Sequence, residues 1–263
     1  MVAAAVIGGA LLLAAGVAAS ATASWFLADK DVMKHLIDSN PTSFEPRMLW
    51  GVEGARPLFA IAWQTVYVSS ALGAVYLLFL GLFSDVEDEE AVFSGLVFIA
   101  SALLMTGAWT PVFQLGNLGD SNQFNWVFVV STSILGLSAI FALVGAAMLD
   151  SFRRGAPFAF LVGVPTGVFA GWLAVATTIS VLFTIRVYDR GLNEPRREEN
   201  EPGWAPAIAA GVMGIGSVVF LNPALVLPAV AVLFFLRQSF VHWVALGIGA
   251  VFWLASCVIV LLT

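Results

Sequence analysis

Aromatic side chains recur at four-residue spacing within apolar stretches of this sequence. The rings are those of Phe59, Trp63 and Tyr67 in one stretch, Trp109 and Phe113 in a second, and Trp172 in a third. Because residues four apart lie on one face of an α-helix, the first two stretches are predicted to align their rings in rows. Rings aligned in this way are suited to stacking on a flat, apolar molecule.

Small residues and single hydroxyl groups accompany these rings. Thr177 follows Trp172 by five positions, and Thr106 precedes Trp109 by three. Large planar rings beside small residues can form a flat apolar slot with a few hydrogen-bond donors. The same spacing also fits ordinary helix packing and the aromatic belts found at membrane surfaces. The spacing alone leaves both interpretations open.

The segments that must position these residues are predicted to be membrane-spanning helices. Hydrophobic residues make up 60% of the 263 positions and charged residues 11%, with a mean hydropathy of +0.95, whereas a soluble domain carries about 25% charged residues. Since a span needs about 20 apolar residues, we predict an all-α integral membrane protein, a polytopic bundle of about eight transmembrane helices. The predicted spans are 2–26, 55–84, 91–115, 124–149, 157–187, 204–221, 223–237 and 240–262.

The sixth and seventh spans are short, and proline residues interrupt them. Asn222-Pro223 separates the two, and Pro228 follows within the seventh. Because proline removes a helix hydrogen bond, residues 204–237 are predicted to form either two short helices or one broken or re-entrant element. Both are allowed in a membrane when protein covers the freed backbone groups.

Three sequence segments resemble the tryptophan-rich sensory protein family, TspO, also called translocator protein. F-A-I-A-W-Q-T-V-Y at 59–67 is similar to the family's F-x-x-x-W-x-x-x-Y segment. W-T-P-V-F at 109–113 resembles its W-[ST]-P-x-F segment, and G-W-L-A-V-A-T-T-I-S at 171–180 resembles its W-x-x-x-A-T-x-x-N segment. The chain departs from the family pattern at Thr106 and Ser180, where the family often has asparagine.

The resemblance implies a longer form of that family, with a five-helix TspO-like core and additional N- and C-terminal helices. The whole chain, 1–263, is then one membrane domain. Its parts are predicted as a first helix and loop at 1–54, core helices at 55–187, a charged linker at 188–203 and C-terminal helices at 204–263.

The same resemblance implies that the chain binds a planar apolar ligand, either a tetrapyrrole or a sterol-like lipid, for sensing, sequestration or transport. A porphyrin, haem or chlorophyll-type pigment would then be a non-covalent cofactor. The implied ligand-binding residues are Phe59, Trp63, Tyr67, Thr106, Trp109, Phe113, Trp172 and Thr177. The alternative is a non-catalytic accessory subunit of a large photosynthetic or respiratory membrane complex, and a homo-oligomer also fits.

The residue inventory argues against several other classes of protein. The net charge of −6 and the lack of a basic patch with exposed aromatics give no indication of nucleic-acid binding. Both lysines, Lys30 and Lys34, lie in the first loop, which excludes a retinal Schiff base inside the bundle. His242 has no cysteine or carboxylate partner within a span, so no metal site is predicted. The prediction is a protein that is not an enzyme.

The distribution of basic residues predicts the orientation in the membrane. With eight spans, nine of the 11 Lys and Arg residues fall on the side that carries loops 27–54 and 188–203, whereas the other side carries only Arg153 and Arg154. Because Lys and Arg resist translocation, the nine-residue side is predicted to face the cytoplasm, stroma or matrix. Both termini then lie on the opposite side, together with the acidic run between Asp85 and Glu90.

Two further patterns concern the first and fifth spans. Ala21-Thr22-Ala23 resembles a cleavage site, but no Lys or Arg precedes Lys30, so the first helix is predicted to be retained. Gly163, Gly167 and Gly171 form two consecutive G-x-x-x-G steps in the fifth span. Small residues at this spacing predict close approach of a neighbouring helix.

Overall fold

The computed structural model of the chain describes residues 3–27, 55–115, 126–190, 204–236 and 240–262, and every regular element within these ranges is helical. We number the helices α1 Ala4–Thr22, α2 Ala55–Phe83, α3 Glu89–Gln114, α4 Trp126–Leu149, α5 Val164–Arg190, α6 Trp204–Val219, α7 Leu227–Leu236 and α8 Phe240–Leu262. A π-helical turn, Ala23–Leu27, extends α1. The stretch Ala156–Phe158 and a π-helical turn, Ala159–Gly163, lead into α5.

Within the described residues, six helices are long and apolar enough to cross a membrane. Two shorter apolar helices, Pro206–Val219 and Pro223–Phe234, accompany them. The chain is therefore an all-α integral membrane protein, as the composition predicts. The predicted loop at 27–54 lies almost entirely outside the described residues, and so does most of the predicted linker at 188–203.

The first five helices form a ring in which each helix packs against two others, in the order α1, α2, α5, α4 and α3. Gly9 packs on Leu96 and Gly107 packs on Ser20, so contacting positions advance together and α1 and α3 run parallel. In contrast, the Ala3 N–H donates to the Gly81 carbonyl oxygen at 2.8 Å, so α1 and α2 run antiparallel. The helix before the three motif segments is thus part of the same ring as those segments.

The ring has two chemically different ends. The acidic end carries Ala3 and the turns at 84–88 and 150–155. Arg154 joins these turns, because its Nε donates to the Leu149 carbonyl oxygen at 2.8 Å and its Nη1 donates to that of Glu87 at 2.6 Å. The opposite end, where α4, α6 and α8 begin, is called the basic end, because nine of the chain's Lys and Arg residues lie in or beside the segments joining helices there.

Aliphatic and aromatic side chains fill the ring toward the acidic end. Helices α1 to α4 and the Ala156–Phe158 stretch that leads into α5 each contribute a buried side chain from this region to a single cluster. These are Val6, Leu77, Leu96, Leu149 and Phe158. None is more than 3% exposed. Burial of each such side chain stabilises the fold by packing contacts, which replace hydrophobic burial as the main attraction between helices in lipid.

Helices α6 and α7 form an antiparallel hairpin. Gly216, near the end of α6, faces Leu225, while Ala210 and Val230 both lie near Gly249 of α8. Leu221 adopts a left-handed conformation (φ 49°), and the Asn222 side chain accepts a hydrogen bond from the Ala224 N–H at 3.1 Å. Asn222 Nδ2 donates to the Gly163 carbonyl oxygen at 3.5 Å, so the turn packs against the residues that lead into α5, seven positions after Ala156. It therefore lies about 10 Å inside the start of that helical segment.

The glycine row of the fifth span accounts for this packing. A Cβ atom at Gly167 would lie 2.5 Å from Asn222 Oδ1, and one at Gly171 would overlap the Leu225 carbonyl oxygen. The predicted close approach is confirmed, and its partner is the hairpin. Gly214 of α6 similarly faces the Phe252 ring, whereas Gly211 has open space beside it.

Candidate functional site

Three of the predicted aromatic residues meet between α2 and α5. The Trp63 and Tyr67 rings stack with centroids 5.8 Å apart, as their four-residue spacing predicts. Trp63 also meets the edge of Trp172 at a centroid distance of 6.3 Å and an interplanar angle of 90°. Tyr67 and Trp172 are buried, whereas Trp63 keeps part of its surface exposed. Two buried rings therefore hold one partly exposed indole in place.

Hydroxyl groups of α1 bind the polar tip of Tyr67. Tyr67 Oη lies 2.8 Å from Ser24 Oγ and 3.2 Å from Ser20 Oγ. The contact ties α2 to α1 and fixes the ring on which Trp63 stacks. The resemblance implied a ligand contact for this hydroxyl group; in the structure it has partners within the protein.

Trp172 connects the ring to the C-terminal helices. Its indole lies in a second buried cluster with Val175 of α5, Ala209 and Ala210 of α6 and Val232 of α7, and Trp63 packs against this cluster too. The hairpin therefore supports the back of the Trp172 indole. Sequence reasoning on the motif segments alone contained no indication of this support, because the hairpin lies outside them.

A second aromatic group lies between α3 and α4. The Trp109 and Phe113 rings stack at a centroid distance of 5.1 Å, and Phe113 meets the edge of Phe128 at 5.9 Å. The spacing predicts the first contact. Phe128 is fully buried and belongs to none of the three motif segments. The structure brings Trp63, Tyr67 and Trp172 into one aromatic group and Trp109 and Phe113 into this second group.

The two predicted threonine contacts differ in what their hydroxyl groups do. Thr106 Oγ1 donates to the Ala102 carbonyl oxygen of its own helix at 2.7 Å. Thr177 Oγ1 is buried and has no hydrogen-bond partner in the described part of the chain. The Thr177 methyl group packs at Gly136 of α4. Thr177 is therefore the better placed of the two to donate to a bound molecule.

Ser180, which stands where the resembled family has asparagine, joins α5 to α4. Thr132 Oγ1 lies 2.6 Å from Ser180 Oγ and 2.9 Å from Thr184 Oγ1, and Thr184 Oγ1 also lies 2.8 Å from the Ser180 carbonyl oxygen. One proton arrangement satisfies all three hydroxyl groups: Ser180 donates to Thr132, Thr132 to Thr184, and Thr184 to that carbonyl. These hydrogen bonds thus join α4 to α5.

Several features of the site lie beyond the predicted residues. The Phe59 backbone belongs to α2, but its side chain lies outside the described part of the structure. Ser20, Ser24 and Phe128 contact predicted residues and were missed. The i, i+4 spacing of Ser20 and Ser24 within an otherwise apolar helix was an available signal, since it places two hydroxyl groups on one face.

An apolar groove lies outside the ring, between α6 and α8. Its volume is about 390 Å³, and its walls include Gly211, Val244 and Ile248. His242, nearby on α8, is fully buried. No group of three or more potential metal ligands occurs among the described residues. The groove is apolar and large enough to compete for a small apolar molecule, so it serves below as a competing location.

Fold and site together define an all-α integral membrane protein with aromatic groups inside a five-helix ring. No protein-family model, curated protein or solved structure matches the chain. The resemblance to the tryptophan-rich sensory family therefore remains a prediction carried by the three sequence segments.

Proposed function

We propose that this protein binds a planar, apolar ligand, of the tetrapyrrole or sterol-like class, against Trp63. The observation that carries the proposal is the arrangement of this indole: it is partly exposed and is held by stacking on Tyr67 and by the edge of Trp172. An immobilised ring binds a flat partner with little loss of side-chain entropy. Such pairs contribute about 0.5–1.5 kcal/mol beyond the burial of their area.

The chemistry of the spans supports binding without catalysis. Residues 61–83, 91–114, 126–149 and 156–185 contain no Asp, Glu, Lys, Arg or His. General acid–base catalysis needs a group that exchanges a proton, and hydroxyl and indole groups do so poorly near neutral pH. The proposed function is therefore reception of a ligand from the basic end or from the surrounding lipid, since side chains fill the ring toward the acidic end.

The proposal is tested by titrating the purified full chain in lipid nanodiscs with etioporphyrin, a planar porphyrin that carries only alkyl groups. Trp63→Ala is expected to weaken binding about 5- to 150-fold, corresponding to the ~1–3 kcal/mol of burying one large apolar side chain. Two control variants are expected to bind as the wild type does. Trp25→Ala removes an exposed indole at the end of α1, and Gly211→Leu fills the groove between α6 and α8.

Two outcomes would contradict the proposal. Absence of binding to folded wild-type protein at micromolar porphyrin would reject a planar-ligand site. Loss of binding in Gly211→Leu with retention in Trp63→Ala would move the site to the groove. In the first case the accessory-subunit alternative gains support, and α8 suits it: large apolar side chains, including Trp243, Val251 and Leu254, cover its exposed face. Retention in a large native complex would then distinguish that function.

A further inference from the structure

Three buried polar atoms on three adjacent helices lack hydrogen-bond partners in the described part of the chain. They are Trp109 Nε1 on α3, Ser131 Oγ on α4 and Thr177 Oγ1 on α5. A buried donor left without a partner loses its hydrogen bond to water without compensation, and the hydrocarbon core of a membrane offers no water to replace it. Three such donors in one region indicate a place where something outside the described part of the chain accepts hydrogen bonds.

The three residues all lie on helix α4 or on helices that pack against it. Trp109 stacks on Phe113, which meets Phe128 of α4. Ser131 lies about one turn further along α4, and the Thr177 methyl packs 3.7 Å from a Cβ built at Gly136, one to two turns beyond. Since Phe128 and Gly136 are eight residues apart, the three donors border a stretch of α4 about 12 Å long.

Neighbouring hydroxyl groups in the same region are satisfied. Thr132, Ser180 and Thr184 bond to one another across the α4–α5 contact, and Thr106 donates to its own helix. Local backbone acceptors are therefore accessible to hydroxyl groups here. Ser131 and Thr177 differ from these neighbours, although Ser70 Oγ and Ser151 Oγ elsewhere in the described residues also have no partner.

The chemistry of these donors restricts what they can receive. An indole N–H only donates, and a hydroxyl group without a partner also offers a proton. The spans that carry the three residues contain no basic side chain between positions 91 and 114, 126 and 149, or 156 and 185. A carboxylate buried at this level would lack a counter-charge, and burying an unpaired charge is far more costly than burying a neutral carbonyl group.

We propose that Trp109 Nε1, Ser131 Oγ and Thr177 Oγ1, here called the donor set, bind uncharged acceptor oxygens of the ligand. The site then selects neutral carbonyl- or ester-bearing polycycles over carboxylates. The inference rests on the proposed function, because it names the ligand class of the same site. Thr177 lies five residues, or about 7.5 Å along α5, from Trp172. Thr177 is thus about one and a half turns along α5 from the aromatic pair.

Three matched porphyrins test the proposal in nanodiscs. Etioporphyrin has ethyl groups where mesoporphyrin dimethyl ester has two ester-bearing chains, and mesoporphyrin has free carboxylates at the same positions. Wild-type protein is expected to bind the dimethyl ester at least about ten-fold more tightly than either of the others, and ten-fold corresponds to ~1.4 kcal/mol.

Two conservative variants remove single donors. Trp109→Phe keeps a ring and loses Nε1, and Thr177→Val keeps the shape and loses the hydroxyl group. Each is expected to weaken binding of the dimethyl ester about ten-fold more than it weakens binding of etioporphyrin, which has no acceptor oxygen. Retained binding of etioporphyrin also shows that the variant has folded. If one variant fails to fold, the other carries the same comparison.

The outcomes separate this inference from the proposed function. If the two variants weaken binding of the ester and of etioporphyrin equally, the donor set does not bind acceptor oxygens of the ligand. If they weaken binding of neither porphyrin, ordered water satisfies these polar groups and the inference is likewise overturned. Tighter binding of the diacid than of the ester would overturn the selection of neutral ligands. Failure of all three porphyrins to bind the wild type would reject the proposed function, and this inference with it.

Discussion

At the scale of single residues, Tyr67 shows how a predicted ligand contact acts as a support. Its hydroxyl group binds Ser24 and Ser20 of α1, and its ring stacks on Trp63. Tyr67 therefore links α1 to the Trp63 indole, which we propose as the ligand-binding ring. Trp109 and Thr177 differ from Tyr67, because their polar atoms have no described partner.

The Tyr67→Phe substitution tests whether the Tyr67 hydroxyl group holds the two helices together or contacts the ligand. Loss of the hydroxyl group removes the α1–α2 hydrogen bonds, and we expect stability to fall by about 0.6 kcal/mol and by no more than about 1.7 kcal/mol, the average and the maximum measured for interhelical hydrogen bonds in a membrane. The ring and its stacking remain, so porphyrin affinity should change less than three-fold, or ~0.65 kcal/mol. Thermal unfolding in detergent and porphyrin titration provide the two readouts. A ten-fold loss of affinity at unchanged stability would show that the hydroxyl group contacts the ligand directly.

At the scale of helices, the backbone approach between α5 and the α6–α7 hairpin organises the C-terminal half. Gly167 lies against Asn222 and Ala224 at the hairpin turn, and Gly171 lies against the Leu225 carbonyl. The resulting contact places the hairpin behind Trp172. A change in this contact is therefore expected to affect both stability and the aromatic group.

Gly167→Leu is expected to lower stability by about 1–3 kcal/mol, because the new side chain overlaps a buried turn and overpacking has costs of this size. Gly211→Leu is the matched control, since it makes the same exchange in an apolar helix where a Cβ has open space. Its stability is expected to remain or to rise, because leucine favours helix more than glycine does. Thermal midpoints in detergent compare the two variants. Equal midpoints would show that the hairpin moves aside at little cost.

At the scale of the whole molecule, charge and packing distinguish the two ends of the ring. Nine of the 11 basic residues belong to one side in the eight-span topology, and the chain interior is filled toward the other end. Because α6 and α7 form a hairpin, their outer ends emerge on the same side whether or not the hairpin crosses the membrane fully. The positive-inside rule therefore gives the same orientation for both interpretations of residues 204–237.

Protease protection in sealed vesicles of known orientation tests that topology. Residues 188–203 contain Arg190, Arg196 and Arg197, which are sites for trypsin. We expect cleavage there when trypsin is on the cytoplasmic, stromal or matrix side. With trypsin on the other side only, the segment is expected to remain intact, while the bond after Arg153 provides a candidate reference site. Cleavage of 188–203 from that other side alone would reverse the orientation.

The sequence by itself determined the helical segments and the nearest-neighbour contacts within them. Apolar runs predicted every described helix to within a few residues, because lipid requires each spanning backbone to satisfy its own hydrogen bonds. The stacks of Trp63 on Tyr67 and of Trp109 on Phe113 followed from the helical period, since residues four apart share a face. The glycine row predicted close packing for the same local reason.

Only the tertiary structure decided which helix faces meet. Contacts between different helices determine the Trp63–Trp172 pair, the pairing of Phe113 with Phe128 and the placement of α1 within the ring. Hydropathy is nearly uniform around these helices, so it does not indicate which face packs on protein and which on lipid. Packing of small residues and backbone approach selects the partners instead, and that selection involves all five helices at once.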